Sequence, residues 1–255
     1  MCILFVTACG NTVKENNTPP EETAESCPIE ESTAFDILTP EAGTVIVDSL
    51  LTDSVVKNSF YIEMIDDALF ERINGYSFKA ATPVGRDSLR RLNILHKDST
   101  GTTHLGELIC HSAIARELME IFRELYDADY PIESVRLIED FYGDDTQSMQ
   151  ANNTSCFNTR HRTGQTAPSL HAYGLAVDIN PRYNPLVKQR EGRSIVEPED
   201  GREFVDRTLE HPYMIKQGDL AHELFVRYGF RWGGRWTHSK DYQHFEKPLE
   251  SIEKY

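Results

Sequence analysis

The run SLHAYGLAVDINP, residues 169–181, constrains the fold more than any other part of the chain. Leu175, Val177 and Ile179 alternate with Ala176 and Asp178, which is the period of a β-strand, so the two sets face opposite ways. The first set makes a core face. The second offers a very small side chain and a carboxylate, and a carboxylate buried without a partner is costly. His171 precedes Asp178 by seven positions, and Gly174 between them allows a tight turn, so imidazole and carboxylate can converge. Such a pair suits a zinc ion, which takes His nitrogen and carboxylate oxygen at roughly 2.0–2.2 Å.

A catalytic zinc needs a third protein ligand and an open position for water. The stretch KDYQHFEKP, residues 240–248, supplies His244 as that ligand, with Asp241 three residues ahead. On one regular strand Asp241 and His244 would face opposite sides. Asp241 is therefore expected in the turn before the strand, within reach of the attacking water.

Around these motifs the pattern mixes helices and strands. Ile114, Leu118, Ile121, Phe122 and Leu125 fall at helical spacing, and Pro131 ends that helix. Residues 132–141 read as a strand, and 219–230 as an amphipathic helix closed by Gly229. Short strands are expected around RWGGRW and YQHFE, and a long irregular connection between 181 and 203. TVIVDSLL reads as a strand, and SFYIEMIDDALFERI as short helical stretches. Without regular βαβ alternation the fold class is α+β rather than a doubly wound sheet. Residues 36–255 read as one domain, with 36–110 an N-terminal elaboration and 130–248 the core that carries the chemistry.

The chain of 255 residues is 39% hydrophobic, enough for a sizeable core, and its net charge of −15 argues against nucleic acid as a partner. None of the five cysteines forms a CxxC pair, so a thiolate zinc site is not expected; Cys110 and Cys156 are either a disulfide or two buried thiols. The N-terminal apolar run ends in Val6-Thr7-Ala8-Cys9, similar to the lipobox of bacterial lipoproteins with Cys9 as the acylated residue. Residues 1–9 are too short for a whole signal and lack its basic start, so either the true start lies upstream or this is a frayed apolar N-terminus of a cytosolic protein, and the acidic segment that follows favours the first. Residues 10–35 carry six glutamates and one lysine and read as a disordered acidic tether. Together these segments imply a lipoprotein of the bacterial cell envelope, facing the periplasm or the cell surface and touching the membrane only through its lipid.

The pattern SxHxxGxAxD followed by DxxHFE resembles the zinc D-alanyl-D-alanine carboxypeptidases and L-alanyl-D-glutamate endopeptidases of bacterial walls, the VanY-like group with a Hedgehog-like fold. SMQANNTSCFNTR (148–160), HAYGLAVDINPRYNP (171–185), RWGGRW (231–236) and DYQHFEKP (241–248) look like blocks of that family in the same order. The resemblance implies a small antiparallel sheet with helices packed on it. It makes His171, Asp178 and His244 zinc ligands, Asp241 the catalytic carboxylate, Arg160 the arginine near the scissile carbonyl and Ser169 a substrate-positioning residue. It also implies peptidoglycan stem peptides as substrates. Cys156 and Thr159 depart from the family pattern, and neither removes a catalytic group.

Simpler readings compete at single residues. His96, His104, His111, His161, His211, His222 and His238 read as ordinary structural histidines. Trp232 and Trp236 are either core residues or a wall of the substrate cleft, with Trp232 the candidate for substrate contact beside Gly233-Gly234. The rival functional class is a binding module that keeps zinc for stability and recognises wall peptide or protein.

Overall fold

The computed structural model describes residues 41–161 and 166–252. The lipobox-like ending at Cys9 and the tether over 10–35 lie outside the described residues. Among those described, no helix is long and apolar enough to cross a membrane.

The first part of the chain builds a four-stranded antiparallel sheet in the order β1-β4-β3-β2. Its strands are β1 (Val45–Ile46), β2 (Tyr61–Met64), β3 (Leu89–Lys97) and β4 (Thr103–His111), with helices α1 (Asp53–Asn58) and α2 (Asp67–Ile73) on the connections. β3 and β4 pair over nine residues each, from Leu89↔His111 to Lys97↔Thr103. Asp98 shapes the turn between them, accepting from the backbone N–H of Thr100 at 2.8 Å and of Thr102 at 3.1 Å. This hairpin escapes a sequence reading because Leu92 and Ile94 on one parity and Asn93 and Leu95 on the other are all buried. Burial on both faces erases the alternation that marks a half-exposed strand.

The helix α3 (Ala115–Asp127) buries Leu118, Ile121, Phe122 and Leu125 as its spacing requires. The expected strand at 132–141 shrinks to β5 (Ser134–Val135), followed by a 3₁₀ turn over Ile138–Phe141. The Asn153 side chain ends the strand: its Oδ1 accepts from Arg136 N–H at 2.8 Å and its Nδ2 donates to Arg136 C=O at 2.9 Å, taking both groups from any further ladder. After α4 (Asp145–Gln150), β6 (Asn153–Thr154) pairs parallel with β5.

Two three-stranded sheets complete the fold. One has the order β10-β12-β7, formed by β7 (Ala176–Asp178), β10 (Arg231–Trp232) and β12 (His244–Glu246). The other has the order β11-β8-β9, formed by β8 (Leu186–Arg190), β9 (Arg193–Glu197) and β11 (Ser239–Asp241). The stretch expected to be irregular between 181 and 203 thus holds a hairpin. Its two-residue turn, Glu191-Gly192, has φ of 53° and 74°, the primed-turn geometry that suits strand twist. Glutamate is a rare occupant of that position, so the turn carries no clear signature. Two further expectations need correction. TVIVDSLL forms only β1 before a 3₁₀ turn, and the start of SFYIEMIDDALFERI is strand β2, with helix only from Asp67.

The helix α5 (Leu220–Arg227) is capped by the Asp219 carboxylate and leaves through Gly229 at φ 80°. It lays Phe225 flat on Phe245 of β12, with ring centroids 4.2 Å apart. Leu92, Leu108, Leu118, Val177, Phe225 and Phe245 belong to one buried cluster, so β3 and β4 share a core with β7 and β12. Helices beside antiparallel sheets are an α+β arrangement. Cys110 and Cys156 are free and buried.

His96 makes the sheet sensitive to acid. It is buried, its Nδ1 lies 2.8 Å from the Ile132 carbonyl, and burial lowers its pKa to about 4 from 6.5. The unfolded chain therefore takes up this proton first, and stability present above pH 6.5 is lost as pH falls toward 4. The loss is roughly 3 kcal/mol. Urea unfolding of wild type and His96→Gln at pH 7.5 and 4.5 tests this, and the pH dependence is expected to be shallower in the variant.

Candidate metal centre

Two local devices bring His171 to Asp178. The Ser169 hydroxyl accepts from His171 N–H at 3.4 Å and starts a 3₁₀ turn over Leu170–Tyr173. Gly174 ends it at φ 68°, where a Cβ would lie 2.6 Å from the His111 backbone nitrogen. Gly174→Ala adds left-handed strain of about 1–3 kcal/mol to a clash with backbone. The variant is expected to melt at least several degrees lower than wild type in a thermal scan.

Register brings in the third residue. β12 pairs antiparallel with β7 so that His244 stands directly opposite Asp178, and directly opposed side chains share a face. The result is a tight triangle of donor atoms. His171 Nε2 lies 3.1 Å from Asp178 Oδ2 and 3.2 Å from His244 Nδ1, and His244 Nδ1 lies 2.9 Å from Asp178 Oδ1. All three residues are buried, and one ligand atom from each falls within 4.8 Å of the others. Donor atoms about a tetrahedral zinc sit roughly 3.3–3.6 Å apart, close to these separations.

The far side of each imidazole settles which nitrogen faces inward. His171 Nδ1 is 2.6 Å from the Cys156 carbonyl oxygen, which can only accept. His244 Nε2 is 3.2 Å from Glu246 Oε2. In the neutral form of each ring, with the outer nitrogen donating, the inner nitrogen keeps a lone pair that points at the carboxylate and at the other ring. Three such donors repel unless a positive charge stands among them. Although burial opposes it, hydrogen bonds given to Asp178 and Glu246 raise His244 to about 10, and the two histidines hold Asp178 well below the usual carboxylate range against its own burial. The residues fit a divalent cation.

Asp241 does not sit in a turn, as the sequence reading expected. It is the last residue of β11 and pairs with Leu186 of β8, in a different sheet from His244. Two residues, Tyr242 and Gln243, separate β11 from β12, and this break in the strand lets both side chains reach one cavity. Burial pushes the Asp241 carboxyl up to about 7, with His244 and Arg160 opposing and Asp178 adding to the rise. Its Oδ1 is buried and has no hydrogen-bond partner among the described residues. Arg160 stands nearby, with Nε 3.0 Å from Asp145 and Nη2 3.6 Å from Asp178.

The cavity holds about 730 Å³ and is lined by Arg160, Ser169, Asp241 and His244, together with Lys188, Arg235, Trp236, His238 and Glu246. Trp232 does not line it. Its ring is buried in the core and its Nε1 donates to Tyr242 C=O at 2.9 Å, so Trp236 replaces it as the aromatic wall, 5.4 Å from the His244 ring. The two glycines between these tryptophans serve internal packing. A Cβ on Gly233 would lie 2.8 Å from Asp241 Cβ, and one on Gly234 would lie 2.4 Å from the Trp232 ring. His238, read from sequence as ordinary, lines the cavity. Glu246 was missed too, although the period-2 alternation of HFE places it on the same face as His244.

The sequence model of a family described as D-alanyl-D-alanine carboxypeptidase matches residues 163–247. No curated protein and no solved structure matches the chain. The matched stretch includes Ser169, His171, Asp178, Asp241 and His244, while Arg160 precedes it. On that match, the segment that carries the histidine–aspartate cluster and Asp241 is similar to the D-alanyl-D-alanine carboxypeptidases, a family of peptidases.

Proposed function

We propose that this chain is a zinc peptidase that hydrolyses amide bonds next to D-amino acids in peptidoglycan stem peptides. The observation that carries the reading is a three-donor cluster beside a carboxylate whose buried Oδ1 has no hydrogen-bond partner among the described residues, in one open cavity. A structural zinc site fills its shell with protein and has no use for such a neighbour. The reading extends to a Hedgehog-like fold and to an envelope lipoprotein held by lipid at Cys9.

His171, Asp178 and His244 would hold the ion. Zinc bound there supplies a Lewis acid and lowers the pKa of a water molecule to about 7. Asp241 accepts the proton as the water oxygen bonds to the amide carbon, and returns it to the amine nitrogen as the C–N bond breaks. Arg160 keeps its charge throughout and favours the oxygen that gains negative charge. Ser169 shapes the turn that carries His171 and presents its side chain to the same cavity.

The lining supports an anionic peptide. Lys188 and Arg235 join Arg160 on the wall of this cavity, although the chain as a whole carries −15. Arg235 makes no ion pair with another described residue, so its guanidinium is open to a substrate carboxylate. Metal removal tests the reading. Dialysis against a strong chelator is expected to abolish cleavage of muropeptides, and one equivalent of zinc to restore it. Undiminished cleavage by the metal-free protein would count against zinc.

A further inference from the structure

We propose that Glu246 is a positioning residue for the metal centre, fixing the tautomer and orientation of His244, with Arg231 holding Glu246 in turn. This inference rests on reading the His171–Asp178–His244 cluster as a metal site. Residues 244 and 246 of β12 share a face, while Phe245 between them enters the core. Glu246 Oε2 lies 3.2 Å from His244 Nε2, and Oε1 lies 3.0 Å from Arg231 Nη2. Arg231 is also the cross-strand neighbour of Glu246 in the β10–β12 pair, so backbone register sets this contact. The Glu246 side chain is only 13% exposed, whereas that of Arg231 is 60% exposed. The carboxylate is thus shielded on the imidazole side and anchored on the solvent side.

The two histidines are supported unequally. His171 gives its outer N–H to a neutral carbonyl, and His244 gives its own to a carboxylate. A carboxylate behind an imidazole removes rotational freedom, holds the proton on Nε2 and makes Nδ1 a stronger donor to a cation. Glu246 acts through His244.

The test measures zinc binding by the full chain in competition with a chromophoric chelator, and the visible absorption of the cobalt form. Wild type, Glu246→Ala and Glu246→Gln are compared. Glu246→Gln retains an acceptor oxygen and nearly the same volume, so it separates charge from packing and keeps the experiment readable if the alanine variant folds poorly. Zinc affinity is expected to fall about 10–100-fold in Glu246→Ala. Glu246→Gln is expected to fall between that variant and wild type, and the cobalt bands to shift in both. Variants that bind zinc within a factor of about two of wild type, with unchanged cobalt spectra, would overturn the inference alone. A wild-type chain that binds neither metal would overturn the metal-centre reading and this inference with it.

Discussion

Asp241→Asn is expected to lower the rate of amide hydrolysis by about 10²–10⁴-fold while leaving zinc bound. The amide keeps the shape of the side chain but cannot take a proton from water. Because Asp241 is not one of the three clustered donors, metal content is expected to stay at one equivalent. Stability carries a second signature. A carboxyl whose folded pKa is raised from 3.8 to about 7 destabilises the folded state above neutral pH, since the unfolded chain releases that proton more readily. The metal-free variant at pH 8 is therefore expected to melt no lower than metal-free wild type. Kinetics, metal analysis and a thermal scan on one preparation distinguish this outcome from general damage. A zinc-loaded variant that retained full activity would remove Asp241 from the mechanism.

The second large effect is expected at Asp178. It is the only carboxylate among the three clustered donors, and both histidines lean on it. Asp178→Asn preserves volume between β7 and β12 but withdraws the negative charge from a buried site. Losing one partner of a buried charge pair costs about 3–5 kcal/mol, or ~10²–10⁴ in zinc affinity. Zinc is expected to dialyse away from this variant under conditions where wild type retains it, and hydrolysis to fall to background. Unchanged zinc retention would assign the ion to other ligands.

What the sequence disclosed follows from how local each signal is. The 169–181 run encodes turn, strand and two donors within a dozen residues, and Gly174 enforces the turn, so His171 and Asp178 could be paired on paper. His244 needed the second motif, and its register opposite Asp178 is a property of β7 and β12 together. Asp241 shows the limit. Spacing within one strand put it in a turn, whereas it ends β11 in another sheet that forms only because residues 186–197 make a hairpin. Neither the Glu191-Gly192 turn nor the doubly buried β3–β4 pair carries a plain local pattern. The tryptophans illustrate the same point. Both flank the glycine pair, and it is tertiary packing, including Trp232 against Gly234 and Phe245, that puts Trp232 and not Trp236 in the core.

The most direct measurement is mass spectrometry of soluble muropeptides after incubation with the zinc-loaded protein, beside an Asp241→Asn control. The account predicts a product shortened at an amide bond next to a D-amino acid, produced by wild type and strongly reduced in the control. Loss of terminal D-alanine would define a carboxypeptidase, and release of a peptide beginning at D-glutamate an endopeptidase. Intact muropeptides in the presence of stoichiometric zinc would contradict it.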